Sequence, residues 1–278
     1  MVGMPATESA KWRWCFSTLG CADLELDEVL SLAAKHAVPC VKLRALGGSL
    51  DLPAYFARTC GSPHELARRA ARAPADVRVV MLDTSWRLIG GGAEERAAFL
   101  DFVPWAEALG GVALRVFDGG KVLDGAALEE ARVAIRWWDE ERARAGWKST
   151  IAIETHDSML TGSGIRQVFA DVPASVGLLW DSHHTWKRGG EDPAATWHAI
   201  RPWVRHIHVK DSVSRPSERH PFTYVNFGRG DFPMRSLFDE LRKDCFDGVV
   251  SLEWERKWHP YLGPLEQEIA AAREFGAW

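Results

Sequence analysis

Four apolar segments in the second half of the chain end in side chains that can bind a metal ion or move a proton. The residues at these ends are Glu154, Asp181, the group His206, His208 and Lys210, and Glu253 with Glu255. Carboxylates and imidazoles are common ligands of divalent ions in proteins. They are also common general acids and bases. The spacing of these residues therefore points to metal-assisted or acid–base chemistry.

One set from these segment ends is Glu154, Asp181, His208 and Glu253, which offers three oxygen ligands and one nitrogen. Such a mixture suits one divalent ion, with Mn²⁺ as the first choice and Mg²⁺, Co²⁺ or Zn²⁺ as alternatives. A single glutamate in such a place is more often an ion-pair partner. Four converging segments favour a metal, because burying several carboxylates together without a cation costs much free energy.

Three further residues near segment ends each have two possible roles. Arg44 and Arg115 either bind a substrate oxygen or tie neighbouring strands together. Glu255 is either a substrate ligand or an ion-pair partner of Arg256 or Lys257. The sequence leaves both readings open.

Eight short apolar segments alternate with longer amphipathic ones, which predicts strand–helix units and a parallel sheet. The predicted strands lie in 14–20, 39–46, 77–85, 112–120, 149–156, 176–184, 204–212 and 248–255. The predicted helices lie in 24–38, 52–73, 94–110, 128–145, 164–172, 194–200, 233–244 and 265–276. Eight units in a row predict a closed (β/α)₈ TIM barrel, in which the βα loops at the carboxyl ends of the strands form the active site. The rival is an open doubly wound sheet. It usually carries a GxGxxG turn after its first strand, and STLGCADLEL is not one.

Composition limits the possible partners and locations. The 278 residues include 34 Lys and Arg against 38 Asp and Glu, a formal net charge of −4, so no basic field for nucleic acid is expected. No stretch approaches the roughly 20 apolar residues of a membrane span. Five scattered cysteines without a CxxC pair argue against a disulfide framework. We expect a cytoplasmic protein with one domain over residues 1–278, of which 1–10 form a flexible tail.

Several motifs resemble the xylose isomerase-like TIM barrel superfamily of sugar isomerases and epimerases, which shares its fold with the AP endonucleases. These motifs are IAIETHD, LLWDSHHTW, VRHIHVKDS, NFGRGDFP and DGVVSLEWE, in this order. The resemblance implies that Glu154, Asp181, His208 and Glu253 form the single-metal site of the family. It also implies that His184, Lys210 and Arg215 bind substrate, Arg215 being one residue out of register.

The same resemblance implies a reaction class. Glu154 and Glu253 would exchange a proton with a ketose or related keto-polyol through a metal-stabilised enediolate, which gives an isomerase or epimerase. A dehydratase or other lyase acting on a keto-inositol or 3-keto-sugar is the alternative, because Lys210 with His156 serves either reaction. A barrel that binds sugar without catalysis is the alternative of a different class. A homodimer is expected by resemblance alone.

The endonuclease branch builds a three-zinc cluster with histidines from its early strands. The corresponding segments here, VKLRAL, VMLDTSW and LRVFDGG, contain no histidine. The resemblance together with the negative charge therefore argues against DNA repair. A second departure, Lys42 where many epimerases have an acidic residue, leaves the substrate open.

Overall fold

The computed structural model describes residues 12–276, and within them eight parallel strands close into a barrel. The barrel strands are β1 Arg13–Ser17, β2 Cys40–Leu43, β3 Arg78–Ile89, β4 Ala113–Gly119, β5 Ile151–Glu154, β6 Val176–Asp181, β7 Val204–Val209 and, eighth, β10 Val249–Leu252. A separate antiparallel hairpin consists of β8 Asp211–Val213 and β9 Thr223–Val225. Going round the barrel, the strand order is β1, β10, β7, β6, β5, β4, β3 and β2. The predicted closed barrel is confirmed. The predicted tail, residues 1–10, lies outside the described residues.

Helices cover the outside of the barrel. They are α1 Leu26–Lys35, α2 Leu52–Thr59, α3 Pro63–Ala70, α4 Ala93–Leu100, α5 Val103–Ala108, α6 Gly125–Ala145, α7 Gly162–Phe169, α8 Ser182–Lys187, α9 Pro193–Ile200, α10 Met234–Lys243 and α11 Leu265–Glu274. Several begin at an Asp, Ser or Thr whose side chain accepts a hydrogen bond from a free backbone N–H of the first turn, as in α2, α3, α6, α7 and α9. None of the helices of residues 12–276 is long and apolar enough to cross a membrane.

Two of the predicted helices are each divided in the structure. Residues 52–73 form α2 and α3, because Gly61 has φ +75° and Ser62 starts a new helix with Pro63 in its first turn. Residues 94–110 form α4 and α5, with a proline again in the first turn of the second helix. Neither division moves a strand, so the barrel is unaffected.

Side chains alternate between the outside and the inside of the barrel along each strand. Those facing out, such as Phe16, Val41 and Ile153, join the large hydrophobic core beneath the helices. Those facing in form two small apolar clusters, Cys15 with Cys40 and Val249, and Met81 with Ala152 and Leu179. Two residues further along several of these strands, the inward positions become charged. The fold therefore places the polar interior at the carboxyl ends of the strands.

Candidate metal and substrate site

The four predicted metal ligands come together at the carboxyl end of the barrel. Glu154 and Asp181 end β5 and β6, His208 lies in β7, and Glu253 follows β10, with side chains at most 7% exposed. His208 Nδ1 lies 3.2 Å from Glu154 Oε1 and 3.5 Å from Asp181 Oδ2. His208 Nε2 lies 3.5 Å from Glu253 Oε2. The imidazole thus stands between the two glutamates, one facing each ring nitrogen.

Several atoms of these four residues lack the hydrogen-bond partners that buried polar groups normally have. They are both ring nitrogens of His208, Asp181 Oδ2 and Glu253 Oε2; among the described residues the two oxygens have only ion-pair contacts, with Lys210 at 2.9 Å and with Lys42 at 3.2 Å. A divalent ion takes oxygen and nitrogen atoms as ligands and would bind the two oxygens and one of the two ring nitrogens. The residues present therefore fit the predicted metal.

His184 competes with His208 for the role of nitrogen ligand. A ligand atom each from Glu154, Asp181 and His184 lies within 4.8 Å of the others. However, His184 Nδ1 is 3.0 Å from the carbonyl oxygen of Thr155, and its Nε2 is 3.2 Å from Lys210 Nζ. Both nitrogens are thus engaged, with Nδ1–H donating and Nε2 accepting. The hydrogen bonds favour His208 as the ligand and leave His184 to face the substrate.

Burial and neighbouring charges set the protonation of the site. Burial lowers the pKa of His184 to about 4, so its ring is neutral at pH 7. Although burial opposes ionisation, the charge of Arg115, joined by that of His208 when its ring is protonated, holds the pKa of Glu154 well below its usual range. Glu154 is therefore ionised at neutral pH, as a ligand or a base must be.

The other side of the barrel mouth supplies cations. Lys42 Nζ lies 2.5 Å from Asp83 Oδ2 and 3.2 Å from Glu253 Oε2, with Lys42 and Asp83 wholly buried. Arg115 Nε lies 3.3 Å from Glu154 Oε2. Each of the two glutamates thus has a cation behind it, which offsets part of the cost of burying a carboxylate.

A second ion-pair group lies beside Asp181. Lys210 Nζ is 2.9 Å from Asp181 Oδ2 and 2.6 Å from Glu255 Oε1. Tyr224, on β9, donates its hydroxyl to the same Glu255 oxygen at 3.4 Å. The β8–β9 hairpin therefore reaches the site, and Glu255 pairs with Lys210 rather than with Arg256 or Lys257.

The remaining predicted substrate residues differ in position. His156 packs edge-on against His184, with ring centroids 5.0 Å apart, and lies at the edge of the site. Arg44 is buried and donates to Ser85 Oγ at 3.0 Å. Arg215 is exposed in the loop between β8 and β9, and within residues 12–276 its side chain contacts none of the four ligands. The substrate-binding role of Arg215 stays a prediction.

Two residues of the site were not predicted from the sequence. Asp83 ends an apolar run in the same manner as Asp181, so the signal that identifies Asp181 at the end of β6 also identifies Asp83 in β3. Lys42 was noted only as a departure from the epimerases. Its burial between two carboxylates depends on which strands are neighbours, which the sequence does not show.

Comparisons with known proteins agree with this fold. A sequence model described as "Xylose isomerase-like TIM barrel" matches residues 22–276. No curated protein sequence matches the chain.

Solved structures of similar fold include a probable 3-DHS dehydratase, AsbF, from Bacillus anthracis, at 17% identity and a TM-score of 0.74, over 94% of this chain and 98% of that one. The IOLI protein with a bound zinc atom has 17% identity and a TM-score of 0.71, over 94% and 95%. A D-tagatose 3-epimerase-like protein has 15% identity and a TM-score of 0.62, over 95% and 99%. At these identities the structures show a shared fold, whereas the sequence match over most of the chain shows the family. The chain belongs to the xylose isomerase-like TIM barrel family.

Proposed function

We propose that the protein is a divalent-metal-dependent isomerase or epimerase of a ketose or related keto-polyol. The observation that carries this proposal is the meeting of Glu154, Asp181, His208 and Glu253 at one buried place, where the His208 ring nitrogens face carboxylates and make no hydrogen bond within the described chain. These four residues would hold the ion. When bound, the ion would polarise the substrate carbonyl and stabilise the negative charge that develops on its oxygen.

Glu154 and Glu253 are the proposed proton carriers. They face opposite nitrogens of the His208 ring, so they approach the site from two sides. One carboxylate takes the proton from the carbon next to the carbonyl, and the other returns a proton. Return to the opposite face of the same carbon gives epimerisation, whereas return to the neighbouring carbon gives isomerisation.

Lys210 and His184 are the proposed hydroxyl-binding groups. Asp181 and Glu255 hold the Lys210 ammonium in place, and Lys210 contacts the neutral His184 ring. An ammonium and an imidazole edge can orient two hydroxyls of a polyol by hydrogen bonds. This orientation would fix which carbon faces the glutamates.

The second candidate reaction is dehydration, and Lys210 supports it. Although burial opposes its charge, Asp181 and Glu255 raise the pKa of Lys210 well above its usual value, so the group is a charged donor at neutral pH. Loss of a hydroxyl next to the deprotonated carbon needs such a donor at the leaving oxygen. The dehydratase among the structures of similar fold is consistent with this second candidate.

The test is proton exchange. The purified protein, supplied with Mn²⁺ in D₂O, is incubated with ketohexoses and keto-inositols, and the products are followed by NMR. We expect deuterium at the carbon next to the carbonyl, lost in Glu154→Gln and retained in Glu129→Gln, a matched change at an exposed glutamate. A new epimer or isomer identifies the first reaction, and an unsaturated product identifies the second. Absence of exchange in every substrate with bound Mn²⁺ would contradict both and favour a barrel that only binds sugar.

A further inference from the structure

Asp118 of β4 is a wholly buried carboxylate, and no lysine or arginine of the described chain forms an ion pair with it. Four backbone N–H groups bind it instead. Its Oδ1 accepts hydrogen bonds from Gly119 at 2.8 Å and from Asp157 at 2.7 Å. Its Oδ2 accepts from Ser158 at 2.9 Å and from Met159 at 2.7 Å. Burial raises the pKa of Asp118 to about 6, so the group is charged at neutral pH, and the four donors offset the cost of burying that charge.

Three of these donors belong to the loop that follows the metal-ligand candidate Glu154. This loop, residues 155–161, connects β5 to α7. His156 lies in it, directly before the first donor, Asp157. Because three successive N–H groups of the loop bind one fixed carboxylate, the loop backbone is held in one position relative to β4. Asp118 therefore determines where the part of the chain that carries His156 lies.

Asp157 orients the ring of His156. Its Oδ1 lies 2.9 Å from His156 Nδ1, and because an ionised carboxylate only accepts hydrogen bonds, Nδ1 carries the proton in this contact. The ring also packs against Phe117 and His184, with centroids 4.7 Å and 5.0 Å away. Nε2 is then the ring nitrogen that is left for a partner outside the described chain. His156 is thus held at the edge of the candidate site with one nitrogen available.

We propose that Asp118 and Asp157 are positioning residues, which hold His156 so that its Nε2 forms a hydrogen bond with a substrate hydroxyl. The inference rests on the proposed function and adds two residues that act through others. Asp118 acts through the loop backbone, and Asp157 acts through Nδ1. A carboxylate that accepts from one ring nitrogen fixes the tautomer and the orientation of a histidine, and thereby what the other nitrogen can do.

The test observes the His156 ring directly. The full chain is labelled with ¹⁵N in histidine, and long-range ¹H–¹⁵N correlation NMR at pH 9 shows which ring nitrogen carries the proton. Loss of the signal in His156→Gln assigns it. The positioning variants are Asp118→Asn, Asp157→Ala and Ser158→Pro, of which the last removes one N–H donor and leaves Asp118 in place. The control, Asp124→Asn, makes the same change as Asp118→Asn at the exposed aspartate that caps α6.

We expect a proton on Nδ1 and none on Nε2 in wild type and in Asp124→Asn. The three positioning variants should show a mixture of the two tautomers, because the carboxylate that fixes Nδ1–H is displaced or absent. With the substrate found by proton exchange, these variants should raise KM about three- to tenfold and leave kcat within twofold of wild type. This is the effect of losing one hydrogen bond that is made equally in the ground state and the transition state.

A lower melting temperature with unchanged tautomer and unchanged KM in Asp118→Asn would make Asp118 a purely structural residue and overturn the inference. If Asp118→Asn does not fold, Ser158→Pro is judged by the same criteria. A proton on Nε2 instead of Nδ1 in wild type would overturn the role of Asp157. If wild type shows the expected tautomer, the variants lose it and no ketose exchanges protons, the positioning of His156 is supported and the proposed function is contradicted.

Discussion

The two ends of the barrel interior are built from the same strands and differ in chemistry. At the amino end most inward residues are apolar, for example Cys40, Met81, Ala152 and Leu179, and the polar exception His206 of β7 is hydrogen-bonded to Ser251. Two residues later, the inward positions on the same strands are Lys42, Asp83, Glu154 and Asp181. Every second residue of a strand faces inward. The apolar layer that fills the barrel and the charged layer that forms the candidate site are therefore successive inward positions of the same strands.

The comparison indicates how each end is stabilised. The apolar end is stabilised by the burial of hydrocarbon. The stability lost when one of its side chains is shortened should therefore increase with the volume of the cavity left behind. The charged end depends on compensation between groups, so removing one partner leaves another charge buried and unpaired. Changes at the first end should therefore affect stability alone, whereas changes at the second end should also affect metal binding, catalysis or both.

The largest expected effect is on catalysis at the charged end. Glu154→Gln keeps the side-chain shape but removes the base, so deuterium exchange under saturating Mn²⁺ should fall roughly 10²- to 10⁴-fold. The exchange rate is followed by NMR with the substrate that the wild-type protein accepts. A rate within a factor of three of wild type would remove Glu154 from the proton-transfer step.

The next largest effect is on stability, at Lys42. Lys42→Met leaves the wholly buried Asp83 with only Arg115, 3.7 Å away, which should lower the free energy of unfolding by about 3–5 kcal/mol. Urea denaturation measures this change. The double variant Lys42→Met/Asp83→Asn should recover part of the loss, because the unpaired charge is gone. A double variant as unstable as the two single changes added together would show that the ion pair is not the cause.

At the apolar end, Leu179→Ala should lower the free energy of unfolding by about 2–5 kcal/mol through the cavity it leaves. Leu179 is wholly buried and lies two residues before Asp181. The Mn²⁺ affinity of the folded variant, measured by calorimetry, should match wild type. A large loss of Mn²⁺ affinity would mean that the two ends are not independent.

The smallest expected effect is on stability, at a buried carboxylate that lies away from the barrel mouth and has no cation to neutralise it. Glu268 of α11 is 1% exposed, and it accepts hydrogen bonds from Asn226 Nδ2 and the Phe227 backbone, each at 3.0 Å. No cation of the described chain pairs with it, and burial raises its pKa to about 7. The folded state therefore binds more protons than the unfolded state between about pH 4.5 and 7, so this group costs stability as pH rises.

Glu268→Gln should remove this cost. The variant should gain on the order of 1–3 kcal/mol relative to wild type between pH 5 and pH 8. Denaturation curves at several pH values give the difference. A difference that does not change with pH would show that Glu268 titrates as an ordinary exposed carboxylate.

The sequence alone predicted the fold and most of the charged end. Two regularities place Glu154, Asp181, His208 and Glu253 together: every second residue of a strand faces inward, and the active site of such a barrel lies at the carboxyl ends of its strands. Both follow from backbone geometry. The partners across the barrel were not predicted. The pairing of Lys42 with Glu253 joins residues 211 positions apart in the chain, and it depends on the register of β1, β2 and β10, which no local pattern encodes. The short α8 and the β8–β9 hairpin were also missed, since neither has enough residues to show a periodicity.

The metal site is tested by measuring the metal content of the purified protein by elemental mass spectrometry, followed by calorimetric titration with Mn²⁺. Wild type is measured beside Glu154→Gln, His208→Ala and the exposed control Glu129→Gln. We predict about one equivalent of divalent metal, bound as isolated or taken up in the titration, by wild type and the control. The two site variants should bind at least about tenfold more weakly. Failure of wild type to bind any divalent ion even in the titration would contradict the account, and the four converging side chains would then be a structural charge cluster.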